Sequence, residues 1–210
     1  MTTNPLMTSA RTAVTQCLAL SPVESLVVVT DDKRAPIGTA LYQAGLEVTD
    51  DVTRIQYPQG AEHGEEPPGA VAAAMQTADA FLAPTSKSLS HTRARGTASD
   101  AGVRGATLPG ITETVFTSGL AADYKTIAAE CDRLLEQVAD ANTIRVTSPS
   151  GTDITFHPGA REWFSDTGII YEAGEFGNLP AGEVFVAPED ANGTYVVDGT
   201  ISPPGLLDQD

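Results

Sequence analysis

The run Ser25-Leu26-Val27-Val28-Val29-Thr30 (SLVVVT) is short and apolar at four consecutive positions. A strand with one solvated face alternates apolar and polar residues, whereas a strand covered on both faces does not. The run therefore predicts a strand buried on both faces of a sheet. A helix is predicted shortly after it, over 36–45, because Pro36 suits a first helical turn and Gly45 suits the position after a helix end.

Strands and helices alternate in this way along the first 141 residues. The other predicted strands cover 51–57, 80–83 and 103–108. The other predicted helices cover 6–19, 68–76, 90–102 and 121–141. Such alternation predicts a Rossmann-like α/β fold, in which a mostly parallel sheet carries helices on both faces.

The pattern changes to antiparallel β after residue 141. Residues 143–147 and 152–156 both alternate, and Ser148-Pro149-Ser150-Gly151 between them suits a type I hairpin turn. Beyond the hairpin the sequence predicts, in order, a glycine-rich connection, a strand, a turn and a strand, at 168–182, 183–187, Asn192-Gly193 and 194–199.

These predictions divide the chain near 141–142. Residues 1–141 would form an N-terminal α/β domain, and 142–210 would form the antiparallel β start of a second, metal-binding catalytic domain. About four strands rarely enclose a core by themselves, and residues 200–210 contain no closing element. We therefore expect the second domain to be incomplete in this chain.

The charge excludes several classes of partner. The chain carries 28 acidic and 12 basic residues, a formal net charge of −16, and no acidic tail accounts for it. A distributed acidic surface repels phosphates, so neither nucleic acid nor an anionic membrane is an expected partner. We interpret the charge as the adaptation of a cytoplasmic protein to high salt, which screens self-repulsion. An ordinary acidic protein is the alternative.

The sequence lacks the common targeting, nucleotide-binding and catalytic motifs. No apolar stretch reaches the roughly 18 residues that predict a membrane span, and the N-terminus lacks the pattern of a secretory signal. GxGxxG, GxxxxGK[ST], HExxH, GxSxG and CxxC are all absent, so no nucleotide cofactor is predicted. Cys17 and Cys131 lie far apart in predicted helices, which favours two buried, reduced thiols over a disulfide.

The three histidines are each better explained by a structural role than by catalysis. His63 lies beside three glutamates, ligand types that suggest a metal, but an exposed acidic loop is the better interpretation. His91 lies at a predicted helix start that Ser90 or Thr92 could cap. His157 ends a predicted strand, where a role in a turn is expected. None has a carboxylate at ligand spacing, so no catalytic residue is assigned.

Three phrases carry a resemblance to a known family. They are PTSKSLSHTRAR (84–95), SPSGTDI (148–154) and NLPAGEVF (178–185), the last followed by Ala187-Pro188. Together they resemble the aminopeptidase T / aminopeptidase S family of metallopeptidases, often labelled leucyl aminopeptidases, over roughly residues 20–205. The resemblance implies an α/β domain joined to a catalytic domain with two divalent metal ions (Zn²⁺, Co²⁺ or Mn²⁺), a peptide substrate and a homodimer.

Glu183 is the one site residue that the resemblance identifies. The glutamate of the family's NLPAGEVF-like phrase is a metal ligand, which implies the same role for Glu183. By position alone, a glutamate that opens an apolar strand fits a solvated strand edge better than a ligand for a hard cation. The resemblance places the family's other ligands after Asp210, and no histidine follows His157. We therefore expect the complete two-metal site only in a longer gene product, and the present chain alone to be inactive.

Three functions fit these observations. The first is a metal-dependent aminopeptidase that hydrolyses N-terminal residues from peptides by metal-activated water. The alternative on the same scaffold is a metal-dependent dioxygenase that opens the ring of a hydroxylated pyridine, an activity that the family includes. The third is a non-catalytic α/β binding or assembly module.

Overall fold

The structure is a computed structural model that describes residues 4–201 and 205–206. The helices, α1 to α6 in chain order, cover Pro5–Arg11, Ala35–Leu46, Gly69–Thr77, Arg93–Asp100, Glu113–Gly119 and Tyr124–Val138. A π-helical segment, Thr12–Cys17, continues α1, and a 3-10 turn, Asp32–Arg34, precedes α2. The strands, β1 to β12, cover Leu26–Asp31, Val52–Tyr57, Ala80–Ala83, Arg104–Thr107, Ile144–Thr147, Asp153–His157, Phe164–Asp166, Phe176–Asn178, Glu183–Phe185, Asp190–Thr194, Thr200–Ile201 and Gly205–Leu206.

Five parallel strands form the main sheet, in the order β2-β1-β3-β4-β8. Every residue of β1, β3 and β4 is buried, whereas β2 at the sheet edge is partly exposed. The strand predicted from SLVVVT is therefore confirmed as buried. The predicted α/β fold with a mostly parallel sheet is confirmed as well.

Successive residues of β1 belong to two hydrophobic clusters, as the alternation of side chains in a strand requires. Leu26 and Val28 pack in the cluster that contains buried residues of α1 and α2. Val27 and Val29 pack in the cluster that contains buried residues of α3 and α4. A continuous apolar run is needed here because the strand must fill a core on each of its faces.

One ion pair is largely buried at the amino end of the sheet. Arg104, 7% exposed at the start of β4, donates to both carboxylate oxygens of Glu24 at 2.7 and 2.9 Å. Its Nε donates to the Leu18 carbonyl oxygen at 3.1 Å. The Arg104 guanidinium lowers the pKa of Glu24 to about 2. The pair is therefore fully charged at neutral pH, and three hydrogen bonds compensate the buried guanidinium.

The chain divides into two compact units. The first unit contains the residues up to Cys131 together with Asp166–Glu183, and so holds the whole parallel sheet. The second contains Asp132–Ser165 and the residues from Val184 onward. The domain boundary predicted at 141–142 stays a prediction.

The second unit contains a three-stranded antiparallel sheet in the order β10-β6-β5. The predicted hairpin is confirmed: β5 pairs with β6, with Thr147 opposite Asp153. The backbone N–H of Gly151 donates to the Ser148 carbonyl oxygen at 3.1 Å, which closes the turn between the two strands. Two further pairs, β7 with β9 and β11 with β12, form two-stranded sheets.

Three predictions for the last third of the chain are wrong. The strand predicted over 194–199 does not form, since Thr194 ends β10 and residues 195–198 belong to no strand. The supposed glycine-rich connection 168–182 contains β8, the fifth strand of the parallel sheet. The supposed turn at Asn192-Gly193 lies inside β10, which pairs with β6. Gly193 is required there because a Cβ at this position would collide with the backbone of Asp153. Helix α5 and strand β7 have no counterpart among the sequence predictions.

Both cysteines, Cys17 and Cys131, are buried thiols outside any disulfide, as the sequence predicts. Burial raises the pKa of Cys17 to about 12, so this thiol stays protonated at neutral pH. Within residues 4–201 and 205–206, none of the helices is long and apolar enough to cross a membrane.

Candidate functional site

The segment between β8 and β9 places Glu183 at the surface of the first unit. Leu179 is buried, and its N–H donates to the Thr107 carbonyl oxygen at 3.0 Å, which anchors the segment to the end of β4. Pro180 packs on Gly119, where a Cβ would approach the proline ring to 2.6 Å. Gly182 packs on Ile127, where a Cβ would lie 3.0 Å from the isoleucine side chain. The Pro-Ala-Gly sequence is thus held closely against α5 and α6, and Glu183 follows at a fixed position.

Glu183 lines a cleft of about 440 Å³ within the first unit. The Glu183 side chain is exposed, as expected for the first residue of β9. Two other polar side chains line the same cleft, those of Asp166 and Asn178. One oxygen of Asp166 accepts a hydrogen bond from the Gly168 N–H at 3.1 Å, which restrains this carboxylate. The cleft therefore joins two carboxylates and one amide.

Protein hydrogen bonds link the loops at the usual ligand crevice of an open α/β sheet. The strand order changes direction between β1 and β3, and ligands commonly bind at such a switch point. Asp31, buried at the end of β1, accepts hydrogen bonds there from the backbone N–H groups of Lys33, Arg34 and Ser86 and from the Ser86 hydroxyl. Protein groups thus tie together the loops after β1 and β3. The Glu183 cleft lies at the same carboxyl edge of the sheet, beside β8.

A second acidic cleft, of about 340 Å³, is formed by the loop after β2. Its lining includes Glu62, Glu65, Glu66 and Lys87. Glu65 accepts a hydrogen bond from a backbone N–H of its own loop. Glu66 accepts from the first two N–H groups of α4, which lowers the pKa of its carboxyl. Two of these carboxylates therefore hold the loop and the helix end in place, which leaves the Glu183 cleft as the candidate site.

The three histidines lie where the sequence placed them, in the loop after β2, next to the start of α4 and at the end of β6. His63 Nδ1 accepts a hydrogen bond from a backbone N–H at 3.1 Å, which closes the acidic loop. Thr92, next to the exposed His91, caps α4, so the predicted capping is confirmed for this threonine. His157 Nδ1 lies 3.2 Å from a backbone carbonyl oxygen at the end of β6.

Sequence reasoning identified Glu183 but not the two other polar residues of the cleft. Asp166 belongs to no recognised phrase, and only the pairing of β8 with β4 determines which residues neighbour the 179–182 segment. Asn178 opens the NLPAGEVF phrase, so its place in that motif was the available signal. Among the residues that the structure describes, no group of three or more His, Cys, Asp or Glu side chains could hold a metal ion.

Comparisons with known proteins match one family model, and the similar solved structures include the following two. A family model described as NicX: 2,5-dihydroxypyridine 5,6-dioxygenase matches residues 6–201. The solved 2,5-dihydroxypyridine dioxygenase from Pseudomonas putida KT2440 is similar with a TM-score of 0.70 and 18% identity, over 94% of this chain and 61% of that one. Wild-type AmpT from Thermus thermophilus is similar with a TM-score of 0.57 and 18% identity, over 90% of this chain and 63% of that one. No curated protein matches the sequence.

The two structural similarities show the fold, because 18% identity is too low to show more. The chain spans less than two thirds of each of these solved proteins. The family match is of a different kind, since it covers nearly the whole chain. It points to the ring-opening oxygenase that the sequence analysis gave as its alternative, whereas the aminopeptidase has only the weaker similarity of fold.

Proposed function

Because the chain belongs to the NicX family of 2,5-dihydroxypyridine 5,6-dioxygenases, we propose that it acts in the metal-dependent ring opening of a small hydroxylated nitrogen heterocycle by O₂. The family match over residues 6–201 is the observation that carries this proposal. The Glu183 cleft is the proposed site. Its volume of about 440 Å³ falls in the range of small-molecule pockets and accommodates a single aromatic ring.

Glu183 and Asp166 are the residues that we propose to hold the metal ion. Carboxylates are hard oxygen donors that suit divalent cations, and both side chains line the cleft. Two carboxylates supply part of a coordination shell. Water and the substrate would supply further ligands. When bound, the metal would contribute the Lewis-acid and redox chemistry that a reaction with O₂ needs.

The remainder of the cleft suits a substrate of this class. Gly119, Pro180 and Ala181 provide apolar or backbone surface on which a ring can lie. The described polar lining is confined to the two carboxylates and the Asn178 amide. A hydroxylated ring offers oxygen atoms both to a cation and to an amide N–H.

The experiment is an activity assay on the protein in the longest form that its gene encodes. O₂ consumption and the loss of 2,5-dihydroxypyridine absorbance are measured with Fe²⁺, Mn²⁺, Co²⁺ or Zn²⁺, and ¹⁸O₂ is traced into the product by mass spectrometry. We expect turnover that incorporates both oxygen atoms. Glu183→Gln should lower it at least about tenfold, because the ligand's charge is lost while its shape is kept.

Two controls make the assay decisive. Glu136→Gln removes an exposed carboxylate from α6, outside the cleft, and should leave turnover unchanged. Hydrolysis of an aminoacyl p-nitroanilide by the same metal-loaded samples tests the aminopeptidase. Peptide hydrolysis that depends on Glu183, without consumption of O₂, would replace the oxygenase by the aminopeptidase.

A further inference from the structure

Asn178 is held in one orientation by two buried hydroxyl groups. It is the last residue of β8 and lies opposite Thr107, the last residue of β4. Its side-chain Oδ1 accepts hydrogen bonds from Thr107 Oγ1 at 2.6 Å and from Ser90 Oγ at 3.1 Å. Thr107 is 0% exposed and Ser90 is 4% exposed. An amide group is planar, so fixing its oxygen also fixes the direction of its nitrogen.

Ser90, one of these two hydroxyl residues, is itself held firmly. The Ser90 N–H donates to Ser88 Oγ at 3.1 Å, and the Ser88 hydroxyl donates back to Ser90 Oγ at 2.9 Å. The Ser90 carbonyl oxygen accepts from Arg95 Nε at 2.8 Å, and the Arg95 guanidinium in turn lies over the ring of Phe176. This hydroxyl network therefore forms a preorganised support for the Asn178 side chain.

The Nδ2 group of Asn178 can donate hydrogen bonds, which the other side chains described as lining the cleft cannot do when the carboxylates are ionised. Asn178 is exposed and lines the cleft together with Asp166 and Glu183. Both carboxylates only accept hydrogen bonds when ionised, whereas the Asn178 Nδ2 group donates two. Among the described residues, no hydrogen bond occupies this nitrogen. The cleft thus contains a neutral, oriented donor beside the carboxylates proposed to hold a cation.

We propose that Asn178 is a substrate-positioning residue, whose Nδ2 donates a hydrogen bond to an oxygen atom of the ring substrate. Thr107 and Ser90 act through Asn178 by keeping its oxygen turned away from the substrate. The inference rests on the proposed function, because it takes the Glu183 cleft as the substrate site. A hydroxyl or ionised oxygen on the ring is the partner that this donor fits, so the residue would set the orientation of a hydroxylated ring in the cleft.

The test measures both the substrate affinity and the unfolding temperature of matched variants. Asn178→Asp keeps the acceptor oxygen that Thr107 and Ser90 bind, but replaces the donor by a second acceptor. Asn192→Asp makes the same change at an exposed position of β10. Thr107→Val removes one supporting hydroxyl, and Thr107→Ser restores it. The affinity for 2,5-dihydroxypyridine is measured by anaerobic titration of the metal-loaded protein, and the unfolding temperature is measured alongside.

We expect Asn178→Asp to weaken binding of 2,5-dihydroxypyridine about tenfold or more, with the unfolding temperature of the wild type. Asn192→Asp and Thr107→Ser should bind like the wild type, and Thr107→Val should bind more weakly. If Asn178→Asp binds 2,5-dihydroxypyridine like the wild type while Glu183→Gln binds it poorly, the role of Asn178 is overturned and the proposed function stays intact. Unfolding of Asn178→Asp would also overturn this role. It would mean that the hydroxyl groups of Thr107 and Ser90 bind the Asn178 nitrogen, which aspartate lacks, and not its oxygen. Failure of the wild type to bind 2,5-dihydroxypyridine at all would contradict the proposed function itself.

Discussion

The two units of the chain differ in how they are stabilised. The hydrophobic core residues of the described chain all lie in the first unit, and most of them form two clusters, one on each face of the parallel sheet. The strands β5, β6 and β10 of the second unit are exposed or half-buried throughout. The Glu183 cleft belongs to the first unit, although residues 166–183 that form most of it come late in the sequence. The candidate site is therefore built on the well-packed part of the molecule, where side chains can be held accurately.

The largest expected effect comes from removing core volume. Leu82 in β3 is fully buried, whereas Leu134 in the second unit is 41% exposed. Leu82→Ala should lower the free energy of unfolding by about 2–5 kcal/mol, because it leaves a cavity between sheet and helices. Leu134→Ala should change it by less than about 1 kcal/mol. Chemical denaturation followed by circular dichroism measures both, and equal losses would remove the distinction between the units.

A slightly smaller effect is expected from the ion pairs, of which each unit has a bidentate example. Glu24–Arg104 in the first unit has side chains 23% and 9% exposed, and Arg145–Asp153 in the second has side chains 65% and 56% exposed. Glu24→Gln should cost about 3 kcal/mol at neutral pH, because it leaves a buried guanidinium without its counter-charge. Asp153→Asn should have a much smaller effect, since solvent screens the exposed pair. Urea denaturation at pH 7 compares the two variants.

The pH dependence of stability distinguishes the same two pairs. The pKa of Glu24 falls from 4.5 to about 2 on folding, so its contribution is fully present above about pH 4.5. That contribution is lost as the pH falls through about 2. The stability difference between the wild type and Glu24→Gln should therefore shrink between pH 4.5 and pH 2. A difference that stays constant over this interval would show that the pair does not hold Glu24 in its ionised form.

The smallest expected effect is a separation of the two unfolding transitions. Trp163, the single tryptophan of the chain, lies in the second unit, so its fluorescence reports on that unit. Far-ultraviolet circular dichroism reports mainly on the helices of the first. The fluorescence transition should occur at a lower urea concentration, by about 1 M, because the second unit buries less apolar surface. Coincident transitions would mean that the two units unfold as one.

The fold of the first unit could be predicted because its signals are local. SLVVVT shows burial on both faces without reference to any partner, and Pro36 marks the first turn of the helix that follows. Gly45, predicted to follow the end of that helix, instead lies inside α2, where a Cβ would approach the Leu26 side chain to 2.8 Å. β8 could not be predicted, since Phe176–Asn178 is short, contains a glycine and is identified only by its pairing with β4. At Asn192-Gly193 a local turn signal was overridden, because Gly193 serves the close approach of β10 to β6.

The candidate site was predictable only in part, for the same reason. Glu183 was found because a recognisable phrase contains it. Its neighbour Asp166 could not be found, because the two carboxylates approach the same cleft only after the chain returns to the first unit. The supporting hydroxyls of Thr107 and Ser90 lie in different segments again, and tertiary structure alone brings them to Asn178.

The most direct test of the account is whether the Glu183 cleft binds a divalent metal ion. Metal-free protein, in the longest form that its gene encodes, is titrated anaerobically with Fe²⁺ and separately with Mn²⁺ in a calorimeter. Both Glu183→Gln and Asp166→Asn should weaken binding about tenfold or more relative to the wild type, whereas Glu136→Gln should bind like the wild type. Wild-type metal affinity and stoichiometry in Glu183→Gln would contradict the account.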